Sequence, residues 1–89
     1  MSKIPSVKGV ELEDEYYHVR FRDPGDFSEI RTPEWARDAA RDVSEGAKVR
    51  MGHRSENDSW VVQSVLIAKT VGKTKAREQA EKIVRKIEE

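Results

Sequence analysis

The sequence contains no cysteine, so disulfide bonds, thiolate metal ligands and cysteine nucleophiles are all excluded. Its longest unbroken apolar run covers only four residues, 65–68, whereas a membrane-spanning helix needs about 20. The first residues also lack the charged and then apolar pattern of a secretory signal peptide. From these absences we expect a cytoplasmic protein that contains no disulfide and inserts into no membrane.

Net charge is absent as well, because 17 Lys and Arg residues balance 17 Asp and Glu residues. Proteins that bind nucleic acid by charge alone are strongly basic, so binding by this chain requires a local excess of positive charge. One Asn and two Gln beside many charged residues are compatible with a thermophilic source. With 89 residues the chain has room for one small domain, which favours modest stability or a homodimer.

Residues that carry catalytic or metal chemistry are scarce. His18 and His53 are the only histidines, and their separation of 35 residues fits no metal-ligand spacing. Residues 72–74 resemble the end of a phosphate-binding loop, but that motif requires glycine at the position of Ile67. We therefore expect a protein that is not an enzyme and that holds no metal and no cofactor.

Three segments have the patterns of β-strands. Apolar and polar residues alternate over residues 16–22 and again over residues 47–54, as in strands with one buried face. Residues 59–70 are apolar on both parities, which predicts a strand that is central in its sheet. An amphipathic pattern predicts a helix over residues 75–87.

Another helix is predicted between the first two strands. It begins with Thr32 as the N-cap and Pro33 as the first helical residue, and it ends near Gly46. One stripe at helical spacing is expected to face the core, and its members are Trp35, Ala36, Ala39, Ala40 and Val43.

These elements predict a small two-layer α+β domain with the order β-α-β-β-α. Two helices cover one face of a largely antiparallel sheet, so the opposite face is open. Residues 16–89 form this single domain, and residues 1–15 form a flexible, acidic N-terminal segment. The pattern of residues 7–12 leaves open an extra strand at the N-terminus.

The charged residues of the three predicted strands are all positive. They are Arg20, Arg22, Lys48, Arg50, Arg54 and Lys69, accompanied by His18 and His53 and by no acid. On the first strand, parity places His18, Arg20 and Arg22 opposite the apolar side chains. A sheet face that concentrates cations in a neutral chain favours an anionic ligand.

Nucleic acid is the anion that fits this face best. Nucleic-acid-binding sheets combine aromatic rings that stack on bases with Arg or Lys side chains that contact phosphate. The predicted contact residues are Tyr16, His18, Arg20, Arg22, Lys48, Arg50, Arg54 and Trp60. Because no basic recognition helix is visible, we expect a single-stranded or structured nucleic acid rather than B-form DNA.

The strand pairing leaves a second function open. If residues 55–58 form a four-residue turn, Arg50 pairs with Gln63, and one parity of the third strand joins the basic face; a three- or five-residue loop reverses this assignment. That parity contains Val61, Val65 and Ile67. Exposed together, these three side chains would favour a protein-interaction or homodimer module as the alternative function.

Further alternatives concern the arginines. They can belong to a solvated face and pair with carboxylates from loops, or they can protect an edge strand from aggregation. A small enzyme or phosphate-ester binder that uses Arg20, Arg22 and His18 is a further alternative, and it requires a concave pocket that also contains an acid.

Overall fold

A computed structural model describes residues 5–56 and 58–88, which form five strands and two helices. In chain order the elements are β1 (Gly9–Glu13), β2 (Tyr16–Arg20), β3 (Glu29–Arg31), α1 (Glu34–Arg41), β4 (Lys48–Arg54), β5 (Ser59–Ala68) and α2 (Lys73–Glu88). The strands lie in the order β1-β2-β5-β4-β3, and every pairing is antiparallel. The predicted α+β class with an antiparallel sheet is confirmed.

The hydrophobic core lies between one face of the sheet and both helices. Val19, Val65 and Val49 are directly opposite one another on β2, β5 and β4, and all three side chains are buried. The helices cover this row with Ala36, Ala40, Ala76, Ala80, Ile83 and Val84. Small residues on both helices let the helices approach the sheet closely, so a short chain still encloses a dry core.

The acidic N-terminal segment is shorter than predicted, because residues 9–13 form strand β1. β1 pairs with β2 over its whole length, and Val10 packs against the core. Residues 9–13 of the segment predicted to be flexible therefore form a paired strand, and the optional N-terminal strand is present. The acids of β1 alternate with apolar residues, so they occupy one face of a strand; residues 1–4 lie outside the described part of the chain.

The pairing of β4 with β5 begins as predicted and then shifts. Arg54 pairs with Ser59, as a four-residue turn requires, although position 57 of that turn lies outside the described residues. A bulge then moves the register, so Arg50 pairs with Ser64 instead of Gln63. The carbonyl oxygen of Gln63 accepts two backbone N–H groups, those of Phe21 and Arg22, at 3.0 and 3.2 Å.

The bulge decides which face each residue of β5 occupies, since one extra residue reverses the alternation. Val65 and Ile67 are fully buried beneath the helices, so the predicted exposed patch does not form. Ser64 and Leu66 lie on the opposite face in their place.

α1 differs from the prediction in its start and in one side chain. Its N-cap is Pro33 rather than Thr32, and no side chain caps its first turn. Trp35 was placed in the buried stripe, but 57% of its surface is exposed. It lies about 100° around the helix from Ala36, beyond the strip that α2 and the sheet cover.

The remaining elements are short or lie at the ends of the chain. β3 was not predicted, because its three residues are all exposed and have no apolar alternation. α2 was predicted over residues 75–87, and it extends by two residues at its start and by one at its end. Within residues 5–56 and 58–88, no helix has the length and apolar character needed to cross a membrane.

Candidate nucleic-acid interface

The sheet face opposite the helices carries two rows of polar and charged side chains. In one row Glu11, His18, Leu66 and Lys48 lie side by side on β1, β2, β5 and β4. In the next row Gly9, Arg20, Ser64 and Arg50 follow the same order. Acids therefore lie at the β1 edge and cations towards the β4 edge, because antiparallel partners share a face.

The β4 edge is partly uncovered, and two arginines of α1 lie beside it. β3 pairs only with Met51–His53, so the first half of β4 has no neighbouring strand on this side. Arg37 and Arg41 are one helical turn apart and face this edge. Together they form a groove of about 390 Å³, the basic groove, lined by Thr32, Arg37, Arg41, Lys48, Val49, Arg50 and Leu66.

Positive charge in the basic groove is only partly neutralised. Its lining contains four cationic side chains and no carboxylate. Arg37 pairs with Glu34 at 3.2 Å, and the ammonium of Lys48 lies 5.0 Å from the centre of the Tyr16 ring. Arg41 and Arg50 form no ion pair with any residue that the structure describes. Two guanidinium groups are therefore available for an external anion.

A second depression of about 500 Å³ lies on the open face and shares Arg50 and Thr32 with the basic groove. We call it the central depression, and its polar lining comprises Glu11, Glu13, His18, Arg20, Thr32, Arg50, Gln63 and Ser64. The Oγ atom of Ser64 is buried there and has no hydrogen-bond partner in the described part of the chain. Leaving such a hydroxyl without a partner costs about 1–3 kcal/mol.

Most of the predicted contact residues lie on the open face. His18, Arg20, Lys48 and Arg50 occupy the two rows described above, and Tyr16 lies in the next row of the same face, between Glu13 and Ala68. Arg20 forms an ion pair with Glu11, which reduces the charge it offers to a ligand. Arg54 shares the parity of Arg50 but lies near the hairpin, 5.9 Å from the ring centre of Phe27.

Arg22 does not join the open face. Its guanidinium forms a bidentate ion pair with Glu88 at 2.8 and 3.0 Å and donates to the carbonyl of Val62 at 2.7 Å. Strand alternation ends at Phe21, where two successive N–H groups share the Gln63 carbonyl, so Arg22 turns towards the end of α2. Its charge is neutralised inside the fold.

Trp60 also lies apart from the open face. It pairs with His53 two residues before the buried Val62, so its side chain is on the helix side of the sheet. There it lines a small pocket with Arg31, Pro33 and Trp35. Trp60 and Tyr16, both predicted to stack on bases, therefore lie on opposite faces of the sheet.

The sequence prediction omitted Arg37 and Arg41. Their spacing of four residues shows, from the sequence alone, that they share one side of a helix. What the sequence does not show is that this side of α1 borders the uncovered part of β4, since that depends on the length and placement of β3.

One other hydrogen-bonded cluster contains residue types used in catalysis. Ser28 Oγ lies 3.3 Å from His53 Nδ1, and His53 Nε2 lies 2.7 Å from a carboxylate oxygen of Asp58. However, the Ser28 hydroxyl donates to the His53 carbonyl at 3.2 Å, and 92% of the Asp58 side chain is exposed. These hydrogen bonds join the loop before β3 to the β4–β5 hairpin.

No group of His, Asp or Glu side chains in residues 5–56 and 58–88 is arranged to hold a metal ion. The chain matches no protein-family model, no curated protein and no solved structure. The function is therefore inferred from the geometry of the described residues.

Proposed function

We propose that this chain is a non-enzymatic domain that binds single-stranded or structured nucleic acid along the basic groove. The observation that carries the proposal is the lining of that groove, which has four cationic side chains and no carboxylate in a chain of zero net charge. Clustered Arg and Lys side chains attract phosphate and release counterions from it.

The unpartnered hydroxyl of Ser64 supports the same proposal. It lies in the central depression, opposite Arg50 on the neighbouring strand. A strand that follows the β4 edge would place one phosphate at Arg37 and Arg41 and a later one between Arg50 and Ser64. In that position the hydroxyl donates a hydrogen bond to a phosphate oxygen, which supplies the partner it lacks among the described residues.

Tyr16 contributes a stacking surface at the margin of this path. Lys48 lies over its ring, so an arriving base would stack beside an existing cation–π contact. The chain offers no exposed aromatic ring in the centre of the open face, among the residues described, so phosphate contacts dominate. We therefore expect weak dependence on base sequence.

The test is the salt dependence of binding to a labelled single-stranded oligonucleotide, followed by fluorescence anisotropy. We expect Arg50→Ala and Arg41→Ala each to weaken binding and to reduce the slope of log K against log salt by about 0.7, the value for one phosphate contact on a single strand. Lys82→Ala is the matched control, because it removes an exposed cation from α2, away from the groove.

Two results would contradict the proposal. One is the absence of binding at low salt. The other is an equal loss of affinity in Arg50→Ala and Lys82→Ala, which would show attraction to the chain's cations in general.

The homodimer alternative loses the exposed apolar patch that suggested it. Val65 and Ile67 are buried in the core, and only Val61 of the three residues lies on the open face. The phosphate-ester alternative keeps part of its motive, since His18 and Arg20 share the central depression with Glu11 and Glu13. Arg22 lies outside that depression, where it pairs with Glu88, and Arg20 already forms an ion pair with Glu11.

A further inference from the structure

A patch on the helix side of the molecule has a different chemistry from the basic groove. Trp35 of α1 and Trp60 of β5 border a pocket of about 220 Å³ together with Arg31 and Pro33. Their surfaces are 57% and 37% exposed, although indoles are among the side chains that gain most from burial. We call these four residues the tryptophan patch.

The patch offers hydrogen-bond donors and flat apolar surfaces. Neither indole N–H has a hydrogen-bond partner within residues 5–56 and 58–88. Arg31 lies 5.8 Å from the centre of the Trp60 ring and uses one N–H on Glu29, so its other donors stay available. Pro33 adds an apolar ring without a donor.

Two carboxylates lie beside the patch and make it unsuited to phosphate. Glu29 bonds to Arg31 at 2.6 Å, and Asp58 bonds to His53, whose ring lies 4.9 Å from that of Trp60. Glu34 is next to Trp35 in the sequence, but its side chain pairs with Arg37 of the basic groove. We call Glu29 and Asp58 the acidic rim; beside it, Arg31 repels a small cation such as a methylated ammonium.

We propose that the tryptophan patch binds a proline-rich peptide segment with Lys or Arg at its flank. Such a segment has outward carbonyl oxygens, few N–H groups and stiff apolar rings, which complement a surface of donors and flat indoles. Its basic flank matches the acidic rim formed by Glu29 and Asp58. The proposal is independent of nucleic-acid binding, because it uses neither the basic groove nor the open face.

Tryptophan fluorescence of the full chain tests the proposal directly, since both tryptophans of the sequence lie in the patch. The probe is a synthetic peptide of eight prolines flanked by arginines, and the control peptide replaces the prolines with glycine and serine. We expect a saturable change in emission with the proline peptide alone. Trp35→Ala and Trp60→Ala should each weaken binding at least about tenfold, as anchor residues do.

Leu12→Ala is the matched control variant, because Leu12 is as exposed as Trp35 but lies on β1. It should bind the proline peptide with unchanged affinity, and far-UV circular dichroism checks that each variant is folded. An unchanged emission up to millimolar peptide overturns the proposal, as does an equal response to the glycine–serine peptide. Emission that instead responds to an oligonucleotide assigns the patch to nucleic acid, and emission that follows protein concentration alone assigns it to a second copy.

Discussion

Arg20 and Arg22 stand two residues apart and have different environments. Arg20 lies on the open face, where its ion pair with Glu11 is largely exposed to water. Arg22 and Glu88 keep only 15% and 13% of their side-chain surfaces exposed, and they join β2 to the end of α2. Because water screens exposed pairs and not buried ones, only the second pair is expected to contribute strongly to stability.

The change Glu88→Ala tests this difference. It leaves the Arg22 guanidinium and the Val62 N–H without their acceptor in a partly buried place. We expect the free energy of unfolding in urea to fall by about 2–3 kcal/mol. Asp42→Ala, which breaks the exposed pair with Lys86, should cost less than about 1 kcal/mol. Equal losses in the two variants would show that the Arg22 pair contributes no more than a surface pair.

At the scale of elements, β4 contains a glycine, Gly52, because a side chain of the loop before β3 packs directly on its backbone there. The ring of Phe27, from the loop before β3, lies directly on Gly52. A Cβ at this position would stand 2.3 Å from the ring, so only glycine permits the contact. The guanidinium of Arg54 also lies over this ring, 5.9 Å from its centre.

We expect Gly52→Ala to displace Phe27 and to lower the free energy of unfolding by about 1–3 kcal/mol, as overpacking does. Gly9→Ala is the control, since a Cβ there meets nothing within 4 Å. In a chain that already carries Phe27→Ala, the change at Gly52 should have little further effect. The same loss in both backgrounds, measured by urea unfolding, would contradict the role assigned to the ring.

The elements differ in how far the sequence predicts them. Periodicity identified β2, β4 and α2, because each buries one face, whereas β5 was identified by its apolar residues on both parities. The bulge at Gln63 has no such signal, since a polar residue in an apolar strand is consistent with either register. The sequence therefore left the face of Val65 and Ile67 open, and the bulge buries both side chains although the four-residue turn alone would have exposed them.

The candidate site was predictable to the extent that it depends on strand parity. Side chains two residues apart share a face in any strand. His18 therefore lies on the same face as Arg20 in β2, and Lys48 lies on the same face as Arg50 in β4. Arg22 departs because the alternation ends one residue before it. The α1 arginines join the groove through packing between distant segments, which no local pattern records.

At the scale of the whole molecule, β1 completes the sheet. It pairs with all of β2, contributes Val10 to the core and supplies Glu11 to Arg20. A chain without residues 1–13 would therefore expose the edge of β2, whose backbone groups can pair with another molecule.

We expect this truncation to lower the free energy of unfolding by at least about 2 kcal/mol, because a ladder of hydrogen bonds is lost. Sedimentation at micromolar concentration should also show association through the exposed edge. The substitution Leu12→Ser is the control, since that side chain is largely exposed, and it should leave both measurements unchanged. Unfolding of the truncated chain at the same urea concentration as the full chain would show that β1 does not stabilise the domain.

The strand order β1-β2-β5-β4-β3 separates opposite charges across the open face of the neutral molecule. Glu11 and Glu13 lie on its acidic side at β1, and Lys48 and Arg50 lie on its basic side three strands away, about 14 Å across the sheet. With no monopole, attraction to a polyanion decays steeply with distance and chiefly rotates the molecule as it approaches. Distant charged surfaces would therefore attract the domain only weakly. A polyanion nearby would meet the β4 edge, where Lys48 and Arg50 lie.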